Sequence, residues 1–356
     1  MLLDHWHDLH VFSPHNGHDG SPLGQEYLIN DAGDVSPAYG LTTHEAFANH
    51  ETFFTNERPP APTLVGSSGG LQIDLIWDSS VAKAPRGFTQ AITDAAKYYT
   101  TLFSNDEVIN IHVGYGEIDG SRMAANALGE SESYGYLTNY STVTNALAKD
   151  GYSFSAANEP TGSQFFVTSA EAKTLGMISP TSSATDGYIG FSTLKGTGYS
   201  WNETAGVSGS TSGTGSKQFD LEATAFHEIS EVLGRIAMEG EMVNGKPSYT
   251  PLDLFNYQSH GVLELSGNGG SFSTNDGTTD LGAYNNASAN GGDIADWASA
   301  GSPTQSGTVG LPGGVNVYDA YDAFAFPGYN GDLSQSDILE VAALGYRLTP
   351  AGAAAA

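Results

Sequence analysis

Between residues 71 and 118 the hydrophobic period of the sequence changes twice, and this constrains the fold more than any other feature. "LQIDLIWD" (71–78) alternates apolar and polar residues, the period of a half-buried strand. "PRGFTQAITDAAKYYTTLF" (85–103) sets Phe88, Ile92, Ala95, Ala96, Tyr99 and Leu102 on one helical stripe, and Pro85 suits a first turn. "EVINIHVGYGEI" (107–118) alternates again, with Ile109, Ile111 and Val113 on one side of a sheet and Asn110 and His112 on the other. Strand, helix, strand within about 50 residues is a βαβ unit, which calls for parallel pairing.

The flanking sequence is less periodic. Residues 1 to 66 are rich in His, Pro and Gly and end in "NERPPAPTLVGSSGG", which reads as a linker. They are expected to form an N-terminal extension with one short helix near "TTHEAFANHETFF". Residues 119–170 read as an insertion with short helices near "STVTNALAKD" and in "TSAEAKTLGM", the latter capped by Thr168 or Ser169. "DGYIGFSTL" (186–194) reads as a strand. "SQSDILEVAALGYRL" (334–348) reads as a capped amphipathic helix with Ile338, Val341, Ala342 and Leu344 on its core face. The expected organisation is an α+β catalytic-type domain over 67–348, with a mixed, twisted sheet and a Gly/Asn-rich, loop-heavy C-terminal half, followed by a tail over 349–356.

With 356 residues and 39% hydrophobic content the chain can bury a substantial core, and its 45 glycines favour strands and turns over a helical bundle. Forty acidic against 12 basic residues give a net charge of −28, which repels a phosphate backbone and argues against a nucleic-acid partner. No apolar run approaches about 20 residues, so no membrane span is expected. "MLLDHWHDLHVF" lacks a basic n-region and a long apolar run and does not read as a signal peptide. Cysteine is absent, which suits either a secreted bacterial protein or a reduced cytosolic chain; acidity and Gly-rich loops favour the extracellular setting.

The chemistry concentrates in "DLEATAFHEISEVLGRIAMEG" (220–240). On a helix, residues four apart share a face, so His227 and Glu231 can reach one ion, while Glu228 projects about 100° away. A histidine and a carboxylate are both acceptable zinc ligands. An ordinary amphipathic helix with Ala225, Phe226, Ile229, Val232, Leu233 and Ile236 inward accounts for the same letters. Gly234 would permit a sharp turn after it.

A catalytic zinc needs a third protein ligand. Asp253 in "TPLDLFNY" is the first choice, because a carboxylate between Leu252 and Leu254 needs a partner if buried; a capping or turn aspartate bonded to backbone amides accounts for it equally. His260 is the second, and Tyr257 is a candidate ligand or oxyanion stabiliser, or else a core aromatic. Arg235, next to Gly234, could pair with one of these carboxylates and orient it, or equally be a surface residue. His5, His7, His10, His15 and His18 form a His-rich stretch that would let the extension act as a pro-segment, or simply be solvated. His112 could line a cleft or be a satisfied sheet histidine, and Asp293, Asp296, Asp319, Asp322, Asp332 and Asp337 are candidates for structural calcium, although their spacing fits no known calcium loop.

The strings "HEISEVLGR", "PLDLFNY", "GGDIADW" and "DILEVAALGY" resemble those of the metzincin clan of zinc endopeptidases, the serralysin and astacin groups above all. They are most similar to bacterial secreted proteins described as metalloproteases with an H-E-x-x-E motif, over roughly residues 67–348. Against the clan's H-E-x-x-H-x-x-G-x-x-H, His227, Glu228 and Gly234 match, while Glu231 and Ala237 replace the second and third histidines. The resemblance implies a zincin-like fold, a zinc ion, a protein or peptide substrate, and Glu228 as general base toward a metal-activated water. The lost histidines leave open an inactive extracellular binding or surface-layer protein on a degenerate scaffold. A glycosidase using Glu228 and Glu231 is disfavoured, since adjacent helical turns set them too close for a separation of about 5–9.5 Å across a sugar.

Overall fold

The alternating segments become adjacent inner strands near one side of a ten-stranded mixed sheet. The computed structural model describes residues 26–30, 35–37, 58–204, 214–299 and 317–356. In chain order the sheet contains β1 (Glu26–Asn30), β2 (Val35–Pro37), β3 (Thr63–Gly66), β4 (Leu71–Trp77) and β5 (Glu107–Tyr115). It continues with β6 (Gly129–Thr138), β7 (Gln164–Thr168), β8 (Gly187–Phe191), β9 (Glu241–Val243) and β10 (Lys246–Tyr249). The helices are α1 (Phe88–Leu102), α2 (Tyr140–Leu147), α3 (Ser169–Thr174), α4 (Leu221–Val232), α5 (Ala287–Asn290), α6 (Gln335–Ala343) and α7 (Pro350–Ala355). The class is therefore α+β with a mixed sheet, as expected.

β4 and β5 pair in parallel from Leu71–Glu107 to Trp77–Val113, with α1 between them in the chain, so the expected βαβ unit forms. β8 adds in parallel on the far side of β5. Ile109, Ile111 and Val113 are fully buried, as is the predicted stripe of α1. Each buried Val, Ile, Leu or Phe among them contributes roughly 1.5–3 kcal/mol by leaving water. α1 begins at Phe88 behind Gly87, not at Pro85. It packs on α4, where the Tyr99 hydroxyl donates to the Phe226 carbonyl at 2.8 Å and the two rings meet edge to face.

The stretch expected as an insertion contributes β6 and β7 to the sheet instead. One edge of β6 carries β8 against Gly129–Ser133 and β7 against Gly135–Thr138. The other edge carries β1. The face of β6 toward α4 is lined with glycine and serine because the helix approaches closely. A Cβ at Gly129 would sit 2.1 Å from Glu228 Oε1, and one at Gly187 would sit 2.9 Å from Val232. The residues expected as extension and linker also hold strands: β1 and β2 form a hairpin on β6, and β3 pairs with β4. Residues 349–356, expected as a tail, contain α7, capped by Thr349 and anchored where the Thr349 amide donates to Leu102 O at 2.8 Å. The helix expected near "TTHEAFANHETFF" and the histidines of residues 4–20 lie outside the described residues.

Candidate metal centre

α4 starts where the Asp220 carboxylate accepts from the Glu222 and Ala223 amides, leaving the helix capped by side-chain oxygen. Nearly every residue of α4 is buried, so it is a core helix, not a surface one. Glu228 and Glu231 are buried at 5% and 1% exposure, whereas the His227 side chain keeps 17%. The opening to solvent is therefore on the histidine side. The helix ends at Val232, and Gly234 just beyond its cap has a left-handed φ of 121°, where a Cβ would also press on Glu171 at 3.2 Å. That turn returns Arg235 toward the helix, its amide bonded to Ser230 O.

His227, Glu231 and Asp296 offer ligand atoms that all lie within 4.8 Å of one another. His227 Nε2 sits 3.2 Å from Glu231 Oε1 and 3.1 Å from Asp296 Oδ1. The expected i, i+4 pair is thus on one face. The third member lies 69 residues downstream of His227 and 43 beyond Asp253 along the chain. Trp297 fixes it: its amide donates to Tyr321 O, its indole N–H to Asp337 at 2.6 Å, and its ring stacks on Tyr284.

The tautomer follows from geometry. His227 Nδ1 lies 2.9 Å from Ala320 O, and a carbonyl has no proton to give, so Nδ1 carries the hydrogen. Nε2 is left to face the two carboxylates. Without an ion it carries a proton as well: burial opposes that charge, but the Asp296 carboxylate outweighs it and holds the histidine well above its ordinary value. Burial likewise pushes Asp296 up, and His227 and Arg235 reverse this to hold it at about 2.

Arg235 completes the cluster. It is fully buried, donates from Nη1 to Asp296 at 2.7 Å and from Nη2 to Glu231 at 3.3 Å, and from Nε to Ser230 Oγ at 2.7 Å. Its guanidinium also stacks over Tyr321, 4.3 Å from the ring centre. The pairing expected with one carboxylate is made with two.

The set fits a divalent cation. One imidazole nitrogen and two carboxylates suit zinc, and a backbone-anchored Nδ1 is the usual second contact of a ligating histidine. Among the described residues Glu231 Oε2 is buried with no hydrogen-bond partner, an acceptor that an ion would satisfy. Arg235 offsets one carboxylate charge, so the ion's own charge would be less neutralised than Glu231 and Asp296 alone would allow.

The other expected ligands lie elsewhere. Asp253 is buried, but its carboxylate accepts from the backbone amides of Met238, Glu239 and Thr250 and from the Thr250 hydroxyl. It ties the chain after α4 to the turn at 250–253, and the partner that its burial demanded is backbone. His260 is exposed, with Nδ1 against Asp276 O at 2.9 Å. Tyr257 is buried, and burial pushes its hydroxyl up to about 12, with Asp276 and Tyr140 adding to the shift instead of members of the His227 cluster. His112 pairs with Asp78 at 3.1 Å beside Tyr188. Among the calcium candidates Asp296 belongs to the cluster above, and Asp337 forms the capping box of α6 with Ser334. Among the described residues no second group of three such ligands comes together.

Comparison of the chain with family models, curated proteins and solved structures finds no match.

Proposed function

We propose that the chain is a zinc-dependent endopeptidase with a zincin-like catalytic domain, acting on protein or peptide substrates outside a bacterial cell. The observation that carries the reading is the convergence of His227, Glu231 and Asp296 with Nε2 directed at the carboxylates and Nδ1 held by Ala320. These residues would hold the ion through Nε2, Glu231 and Asp296, and Asp296 takes the place for which Asp253 or His260 was expected. A bound zinc ion would supply Lewis-acid polarisation of the scissile carbonyl and a lower pKa for water. Glu228, one position along the helix and pressed against the backbone of Gly129, would take the proton from the attacking water and return it to the leaving amine. Arg235 would hold Glu231 and Asp296 in place and limit the anionic charge at the site. The acidic, cysteine-free composition supports the extracellular setting.

Metal analysis combined with casein hydrolysis tests this. Glu228→Gln is expected to keep the zinc and lose roughly 10²–10⁴-fold in rate. A zinc-free purified chain, or hydrolysis unchanged in that variant, would overturn the proposal.

A second reading has its own support. Arg235 already pairs with both carboxylates, so the four side chains balance without an ion, as expected of a non-catalytic binding protein on the same scaffold. That reading predicts no zinc uptake and no zinc-dependent stability.

A further inference from the structure

Asp319 and Asp337 are two acids that the metal cluster does not use, and both are fully buried. Asp337, in the first turn of α6, accepts the Trp297 indole N–H through Oδ1 at 2.6 Å and the Ser334 amide through Oδ2 at 2.8 Å. Asp319 ends the short strand Val317–Asp319 and accepts the Tyr321 amide through Oδ1 at 2.8 Å. The two side chains also hydrogen-bond each other. Two ionised carboxylates have no proton to place between them, so one of the pair is a carboxylic acid. Burial, and then the charge of Asp319, hold the Asp337 carboxyl well above the ordinary carboxylate range.

The donors already present say which oxygen carries the proton. Both oxygens of Asp337 take an N–H, and so does Oδ1 of Asp319. The proton therefore belongs on Asp319 Oδ2, which donates to Asp337. The surroundings supply no cation in its place. The titratable groups facing the pair are Tyr99 of α1, Tyr318 and Tyr321 beside Asp319, and Glu340 of α6, all of them acids. Asp322 and Asp332 meet the Asp319 segment through backbone bonds, and Arg235 is committed to Glu231 and Asp296.

The pair joins the two segments that finish the cluster around His227. Trp297, held by Asp337, directly follows Asp296. Asp319 directly precedes Ala320, whose carbonyl takes the His227 Nδ1 hydrogen at 2.9 Å. The segments are laced further by the Trp297 amide to Tyr321 O at 2.9 Å and the Ala323 amide to Trp297 O at 3.1 Å. Ionising both acids would set like charges against each other at this junction.

We infer that Asp319 and Asp337 are positioning residues that share one proton, and that this proton locks the segment presenting Asp296 to the segment that orients His227. What the positioned groups then hold rests on the metal-centre reading; the shared proton does not.

The test compares the full-length wild type with Asp319→Asn and Asp319→Ala. In Asp319→Asn, Oδ1 still accepts from Tyr321 and an Nδ2 hydrogen replaces the shared proton. The infrared difference between wild type and Asp319→Asn at about pH 8, where an ordinary Asp is ionised, is expected to contain a protonated-carboxyl C=O band. The folded wild type keeps a proton that its unfolded chain releases in the ordinary carboxylate range, so its stability falls as pH rises above that range. The Tm difference between Asp319→Asn and wild type is therefore expected to shift in favour of the variant between about pH 4 and about pH 8. Asp319→Ala is expected to weaken zinc binding by about 10–100-fold and to displace the His227 Nδ1–H resonance, with Asp319→Asn restoring most of both. Absence of the band, or a Tm difference independent of pH, would overturn the shared proton; these two arms decide even where Asp319→Ala does not fold. Asp319→Ala with wild-type zinc affinity and an unmoved His227 resonance would overturn the positioning role. A wild type that takes up no zinc, with the band present and the resonance displaced in Asp319→Ala, would uphold this inference and remove the metal-centre reading.

Discussion

The protein buries two clusters of opposite charge, and they are finished differently. In one, Lys173 uses its three protons on Asp186 Oδ2 at 2.5 Å, Val108 O at 2.8 Å and Ser182 O at 3.3 Å. Asp186 also accepts from the Asn110 amide and the Ser169 hydroxyl, and both partners of the ion pair are 1% exposed. In the other, His227 stays partly open to solvent and Glu231 Oε2 is buried without a partner among the described residues. A saturated, sealed ion pair is a structural element that fixes β5 against α3. An unsaturated one with an open side has capacity left for a ligand. Burial and charge alone would have ranked the two alike; it is the count of satisfied atoms that separates them.

The sharpest way to break the comparison is to open the closed cluster. Lys173→Met leaves Asp186 buried without its cation and is expected to cost about 3–5 kcal/mol in urea unfolding, with zinc content of the folded fraction unchanged. A loss under about 1 kcal/mol would mean that the pair is not the structural element described here.

A somewhat smaller effect lies at the rim of the same cluster. Burial raises Glu107 from 4.5 to about 7, against the Thr174 hydroxyl and Lys173, which favour its charged form. The folded chain thus keeps a proton that the unfolded chain releases near pH 4.5. Stability from this group is complete below pH 4.5 and falls as pH rises toward 7, by about 3 kcal/mol. Denaturation across that range should show the slope, and Glu107→Gln should flatten it; an unchanged slope would mean the proton sits elsewhere.

Much of this was legible in the sequence, and the gaps have physical causes. The βαβ unit, α4 and α6 were readable because their buried faces repeat at the period of their own element. β6 was hidden because its core side is Gly129, Ser131, Ser133 and Gly135, crowded by Glu228 of α4 at Gly129 and by Phe166 at Gly135, which leaves no apolar alternation. His227 and Glu231 were readable because helix geometry links residues four apart. Asp296 was visible in "GGDIADW" as an acidic residue suited to calcium, but nothing local says that Trp297 and Tyr321 carry it back to α4. For Asp253 the sequence offered two readings, a metal ligand or a turn aspartate bonded to backbone amides, and the amides of Met238, Glu239 and Thr250 satisfy the second.

The most direct test of the central claim, that the unsaturated cluster is a metal centre, is unfolding free energy with and without zinc in the wild-type chain and in His227→Ala. Zinc at about 100 times its Kd is expected to add about 2.7 kcal/mol to the wild type and nothing to the variant. Equal stability of the wild type with and without zinc, over a range that saturates known zinc sites, would contradict it and leave the four charges as a second structural ion-pair network.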